Sequence, residues 1–381
     1  MILEYFKLLL NIKIIFKPPT KNNILIFDQQ SEKIISKIFN IKKINFLKTR
    51  KEEINLIILI ITFLKFQFRY FDYLINYINY TQAKVVITSI DNDQRFYRIK
   101  SKLSVITIFF QNGQRTGAGD IFEIFDKKNK INSFKKKYSV DLMCVFNTMT
   151  AKLYKKIIRG EAFVAGSILN NNTKIFKTIN KNLVFISLFR AYGKVLKIIE
   201  KIHTLEYFKH KALLNILKIY CEKNNLNLTI LAKNPHGTPG SEEEKKYYKK
   251  TLKKNFLFFK NYKKRNTYKI IDEAKIVVSP GSTLGIESLG RRQKTLILNY
   301  RANRKYYKKK NFGYFTKRSN RGPFWYSGTD KKIIFKLLKQ VKKYKKNKWA
   351  RTIKKYEDET SLYDFRNRKL KLNACTKLDR R

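Results

Sequence analysis

A helix that begins just after a strand presents unbonded N–H groups and the positive end of its dipole at the strand's carboxyl end, an arrangement suited to a phosphate. Residues 275–298, KIVVSPGSTLGIESLGRRQKTLIL, have that form. The strand-like run Ile276–Ser279 is broken by Pro280 and Gly281. Ser282 and Thr283 then offer two hydroxyls ahead of a helical pattern and a second apolar strand. Both hydroxyls can cap the helix, and both can donate to a phosphate. Glu287 follows about one turn into the helix, where a carboxylate can accept from ribose hydroxyls. The same residues also read as an ordinary cap and a solvated glutamate.

Other loops leaving strand-like runs carry polar groups. In QNGQR (111–115), Asn112 and Gly113 form a tight turn, and Arg115 either clamps an acidic or phosphorylated group through its two-pronged guanidinium or faces solvent. In LAKNPHGT (231–238), Lys233 is a candidate phosphate contact and His236 is the histidine of a Pro/Gly-rich loop. In TSIDNDQRFY (88–97), Asp91 and Asp93 stand between a strand and a helix, as an Asx-turn and a cap or as proton acceptors. GPFWYSG (322–328) sets Phe324, Trp325 and Tyr326 between glycines, to stack on a base or sugar ring or to plug the core.

The chain of 381 residues is long enough for two domains, and 43% apolar with 14% aromatic residues describes a folded protein. Its formal charge of +56 points to nucleic acid or an anionic membrane surface. Lys, Asn, Ile, Tyr and Phe are inflated together, however, so drift in codon composition is the favoured cause of the charge. The lysines are spread along the whole sequence, and no RRM, KH, helix-turn-helix or zinc pattern accompanies them. Cys144, Cys221 and Cys375 are too far apart to form a ligand set, as expected in a reducing cytoplasm, and His203, His210 and His236 form no zinc-type pair. The apolar window INLIILIITFLKF (54–66) falls short of the roughly 20 residues of a membrane span. Residues 1–19 have an acid at position 4 and lysines within the apolar run, unlike a secretory signal. They read as an amphipathic segment lying on a membrane or against the body of the protein.

The elements that must position these residues alternate. Strands are expected at 23–28, 43–48, 84–89, 104–112, 141–147 and 163–167, with helices near 52–66, 69–80, 93–102 and 148–158. A polar stretch at 170–182 reads as a linker. The alternation then resumes with strands at 183–189, 227–234, 275–279 and 294–299, and helices near 203–224, from 242, and at 330–344. Apolar strands alternating with helices specify α/β units with parallel sheets. The expected organisation is an N-terminal segment (1–19), an N-terminal Rossmann-like domain (20–178), a C-terminal one (179–345) and a basic tail (346–381).

Several segments together resemble the bacterial surface-carbohydrate (polysaccharide) biosynthesis proteins, which are like GT-B glycosyltransferases. They are VVITSIDNDQRFYRI (85–99), FFQNGQR (109–115), YSVDLMCVFN (138–147), FVAGSILNN (163–171), STLGIESLGRRQKTL (282–296) and RGPFWYSG (321–328). The resemblance, spanning roughly residues 20–345, implies two Rossmann-like domains facing across a cleft. It implies a nucleotide-sugar donor on the C-terminal domain, with Gly281, Ser282 and Thr283 at the diphosphate and Glu287 at the ribose. Ser187, Arg190 and Lys233 would neutralise charge there. The N-terminal domain would hold a glycan or lipid-linked acceptor near Asn112 and Arg115, and Asp91, or else Asp93 or His236, would act as the base. No metal or cofactor is implied, the nucleotide-sugar being a substrate. The implied place is the cytoplasm, with peripheral contact at the inner membrane face. A non-hydrolysing nucleotide-sugar 2-epimerase is the alternative within this fold, and a charge-driven nucleic-acid binder the alternative outside it.

Overall fold

A computed structural model of the chain describes residues 12–28, 32–40, 44–49, 52–115, 121–122, 135–189, 197–261, 267–299 and 319–372, with the backbone alone at 197–208 and 261. Contacts divide it into two units: Met1–Asn112, Gly119–Asn172 and Asp364–Arg381 form the first, and Gly113–Ala118 and Thr173–Tyr363 the second.

In the first unit, β1 (Lys13–Ile15), β2 (Ile24–Phe27), α1 (Glu32–Phe39), β3 (Asn45–Leu47), β4 (Glu53–Asn55), α2 (Leu56–Leu64) and α3 (Tyr70–Tyr80) lead into the centre of the sheet. They are followed by β5 (Val85–Thr88), a 3₁₀ turn (Phe96–Ser101), β6 (Ile106–Phe110), β7 (Ser139–Val145), α4 (Thr148–Ile157), β8 (Arg159–Val164) and α5 (Ile168–Asn171). The main sheet runs β3-β2-β5-β6-β7-β8, every pair parallel. Its central strands β2, β5 and β6 are largely β-branched, leucine and aromatic runs buried on both faces, as VVIT of β5 shows.

Two expectations change here. The single helix expected at 52–66 is divided, because Glu53–Asn55 pair in parallel with Lys13–Ile15 and the Asn55 side chain then caps α2 by accepting from the Ile58 N–H at 3.3 Å. The helix expected at 93–102 is a shorter 3₁₀ turn.

The second unit contains β9 (Asn182–Ile186), α6 (Lys197–Lys223), β10 (Asn227–Pro235), α7 (Pro239–Leu252), β11 (Phe256–Asn261), α8 (Thr267–Asp272), β12 (Ile276–Ser279), α9 (Thr283–Gly290), β13 (Thr295–Leu298), β14 (Trp325–Tyr326), α10 (Lys331–Lys343) and α11 (Lys346–Lys354). Its parallel sheet runs β11-β10-β9-β12-β13-β14. Counted from β9, this is the 3-2-1-4-5-6 order of a doubly wound dinucleotide-type fold. The edge strand β11 and the helix α11 are absent from the sequence-based expectation, since both lie in lysine-rich sequence. Trp349 and Ile353 of α11 join Phe185, Tyr220, Tyr248 and Phe324 in this unit's core.

One buried ion pair fastens the chain's entry into this unit. Arg291 donates to both oxygens of Asp272, at 2.8 and 2.5 Å, and to the carbonyls of Thr173 and Lys174. The Phe176 N–H adds a further bond to Asp272. The guanidinium lies between the rings of Tyr268 and Tyr363, 5.1 and 4.9 Å from their centroids. Burial pulls the Arg291 pKa down, but the bond and charge of Asp272 outweigh it and the net shift is upward. Breaking such a pair from one side leaves a buried charge uncompensated. Asp272→Asn is therefore expected to cost about 3 kcal/mol of stability by urea denaturation, and a loss near zero would show that the pair does not hold this segment.

Candidate functional site

In a doubly wound sheet, ligands collect outside the carboxyl ends of the strands where the connections reverse direction. In the second unit that point lies between β9 and β12, which pair with Phe185 opposite Val278. The register brings Ser187 level with Pro280, and the β9–β10 pairing of Ile186 with Leu231 brings Lys233 to the same edge.

The Ser279–Thr283 turn is built by its own residues. Ser279, fully buried, accepts from the N–H groups of Gly281 at 3.4 Å and Ser282 at 3.1 Å. Gly281 has φ of 103°, in the left-handed region that favours glycine. Ser282 is the N-cap of α9, accepting from Leu284 N–H at 3.3 Å. Thr283 Oγ1 accepts from the N–H of Gln114, in the loop that groups with this unit, at 2.9 Å. The helix can start this close to its strand because Gly285 has no side chain: a Cβ there would lie 2.3 Å from Ser279 Oγ. Glu287 is a buried residue of α9, and its Oε2 accepts from the Tyr268 hydroxyl at 3.2 Å. Tyr268 is the ring already fixed against Arg291.

The ends of β9 and β10 are joined through a carboxylate that the sequence reading missed. Glu244 of α7, fully buried, accepts from Ser187 Oγ at 2.5 Å and from Lys233 N–H, Asn234 N–H and Asn234 Nδ2, each at 2.9 Å. Ser187 in turn accepts from the Tyr248 hydroxyl and the Phe189 N–H. Ser187 is thus a buried linchpin of the edge, while Lys233 is anchored through its backbone and exposed as a residue. Glu244 was hidden in the run SEEEKK, but Ser241, Glu244, Tyr248 and Leu252 are the buried face of α7 at helical spacing. That stripe was its available signal. His236 is exposed in the β10–α7 connection.

Arg190 lies outside the described residues. Trp325 is in β14, level with Ile297, and is buried: its ring packs edge-on to Phe324 and Tyr356, and its Nε1 donates to the Ser319 carbonyl at 3.1 Å. The core fills the space in which a stacked base would sit against it.

In the first unit, Asp91 follows β5 and is fully buried. Its carboxylate accepts from Asn112 N–H at 3.0 Å and from the Tyr154 hydroxyl at 2.5 Å, and its carbonyl accepts from the Tyr97 hydroxyl. Asp93 accepts from its neighbour's backbone, Arg95 N–H at 3.0 Å, and pairs with the Arg95 guanidinium at 2.5 Å. The Asx-turn therefore belongs to Asp93, and Asp91 ties the end of β5 to the end of β6. Arg115 is half-buried in the loop that groups with the second unit. Among the described residues, no group of three or more His, Cys, Asp or Glu side chains is arranged to hold a metal ion.

The sequence matches, over residues 108–375, a family of proteins assigned to O-antigen biosynthesis. No curated protein matches it. Among solved structures, it is similar to a Listeria monocytogenes protein assigned as a UDP-N-acetylglucosamine 2-epimerase, with a TM-score of 0.57, 10% identity and coverage of 95% of this chain and 98% of that one. The UDP-GlcNAc 2-epimerase of Neisseria meningitidis bound to UDP-GlcNAc gives 0.53 and 10%, covering 93% and 99%. The wall teichoic acid polymerase TagF gives 0.51 and 11%, covering 96% and 90%. At these identities the likeness establishes the fold, two Rossmann-like domains of the GT-B class.

The tight approach of α9 to β12 is open to test. Gly285→Ala forces Ser279 and Ile297 to move, since the new methyl would also lie 3.2 Å from Ile297 Cδ1. The expected cost is about 1–3 kcal/mol, read from the melting curve. An unchanged melt would mean that the turn is not held at this distance.

Proposed function

Because the chain belongs to this O-antigen biosynthesis family, we propose that its second unit binds a nucleotide-activated sugar and that the protein transfers the sugar to a surface polysaccharide or lipid-linked acceptor. The observation that carries this reading is the start of α9. A self-braced turn at the switch point sets a helix N-terminus and the Ser282 and Thr283 hydroxyls at the sheet edge, and the buried Glu287 lies one turn behind them. A diphosphate at that helix end would be stabilised by N–H groups and the dipole, and Glu287 would accept from the ribose hydroxyls. UDP-GlcNAc, which the Neisseria structure contains, is the first donor to try.

Charge that develops on the leaving diphosphate would be met by the helix end, by Lys233 and by Arg190, so this reading needs no metal. Tyr268 has a positioning role: anchored by the cation–π contact with Arg291, it holds Glu287 in place. The acceptor is assigned to the first unit, near Asn112. Asp91 has no exposed surface from which to take a proton, and Asp93 is committed to Arg95. That leaves His236, exposed and close to a strand end, as the base this reading favours.

The test is a thermal-shift screen of the purified protein against UDP, CDP, CMP, GDP and single-stranded RNA at low and high salt. A salt-resistant shift with one nucleotide is expected. Glu287→Ala should weaken binding about tenfold to hundredfold, and Tyr268→Phe about threefold to tenfold. Shifts with RNA alone that vanish at high salt would replace this reading with charge-driven nucleic-acid binding. With the donor in hand, NMR of the product decides the chemistry, and conversion to the 2-epimer with no acceptor present would replace transfer with epimerisation.

A further inference from the structure

The apolar run at 54–66, too short to cross a membrane, enters the core on one face only. In α2 the buried positions are Ile58 and Thr62, while Ile60, Phe63 and Leu64 face outward together at helical spacing. The chain then turns through Phe66 and Phe68. Leu64 is 75% exposed, Phe66 84% and Phe68 73%. Single exposed apolar residues are ordinary, but a contiguous group of this kind marks an interaction surface.

The group is held in place by a dedicated support. Asn76 of α3, buried, donates to Thr62 Oγ1 at 3.1 Å and to Gln67 Oε1 at 2.8 Å, and accepts from Lys65 Nζ at 3.1 Å. The Gln67 N–H donates to the Thr62 carbonyl and the Phe66 N–H to that of Phe63. Phe66 itself has φ of 54°, a left-handed conformation that a phenylalanine adopts at a cost. The Phe63 and Phe68 rings meet edge to face, 5.8 Å apart. Beside them a shallow groove of about 220 Å³ is shared with Ile12 and Ile54, and Ile14 and Phe16 of the β1 segment are exposed as well.

The charges around this knuckle are of one net sign. Lys13, Lys17, Lys65 and Arg69 are exposed. The acids nearby are fewer: Glu52, Glu53, which pairs with Lys48 at 2.7 Å and more distantly with Lys13, and Asp72, which pairs with Arg69 at 3.0 Å. Among the described residues no helix is long and apolar enough to span a bilayer. We propose that the Phe63–Phe68 knuckle of the first unit inserts into the headgroup region of an anionic lipid surface, with the flanking cations against the headgroups. Aromatic and aliphatic tips presented on a rigid turn suit the acyl–headgroup boundary, and the net positive rim supplies the electrostatic complement. This proposal stands independently of the nucleotide reading.

The test is co-sedimentation of the full chain with vesicles of phosphatidylglycerol and phosphatidylethanolamine, and with phosphatidylcholine vesicles for comparison. The Phe66→Ser/Phe68→Ser variant leaves the net charge unaltered, and at such exposed positions it should keep the wild-type melting curve. Binding to the anionic vesicles is expected to fall about tenfold or more in the variant, and phosphatidylcholine binding should be weak in both. Equal binding by variant and wild type, abolished by salt, would overturn the proposal in favour of diffuse charge. No vesicle binding by the wild type would also overturn it, as would a self-associated wild type that ignores vesicles and becomes monomeric in the variant.

Discussion

Parallel strands cannot be joined by tight turns. Each β-to-β connection must cross a face of the sheet and return to the same end. In the second unit the connections from β9 run outward through β10 to β11 and then return past β9 to β12. That single reversal leaves neighbouring strands whose following segments diverge, and the crevice between them is where polar backbone can face a ligand. The Ser279–Thr283 turn, Ser187 and the ends of β10 are all consequences of it. The close packing of α9 on β12 through Gly285 is its most demanding local requirement.

Buried carboxylates organise both units. Acidic residues are scarce in this chain, 28 against 84 basic ones, yet Asp91, Glu244, Asp272 and Glu287 are all withdrawn from solvent. Asp91, Glu244 and Asp272 each accept from more than one element, which is how a buried carboxylate remains tolerable. Asp91 joins the ends of β5 and β6, Glu244 those of β9 and β10, and Asp272 draws the 173–176 segment onto α8. Glu287 accepts from the Tyr268 hydroxyl, at the edge where the fold gathers its polar groups. In such a basic protein the surface charge says little about chemistry, and the placement of the few acids says more.

The apolar knuckle of the first unit follows a different logic. Hydrophobic burial would draw Phe63, Leu64, Phe66 and Phe68 inward, and the polar support from Asn76 keeps them turned out. The switch-point edge with the Ser279–Thr283 turn belongs to the second unit and the knuckle to the first.

The sequence alone determined the central strands of both sheets and most of the helices. Apolar β-branched runs such as VVIT and IVVS, and the breaks at Pro280-Gly281, are local signals that act through neighbouring residues. They were enough to give the α/β class, the parallel sheets and the helix start at Ser282. Tertiary structure decided which residues those elements bring together. Asp91 meets Tyr154 63 residues away, and Ser187 meets Glu244 57 residues away, and no periodicity encodes either pairing. Trp325 enters the core because β14 pairs with β13, and the run at 52–66 is divided because β1 offers Glu53–Asn55 a partner strand. Local propensity sets what a segment can become, but the partner that satisfies its buried polar groups is fixed only once distant strands are in register.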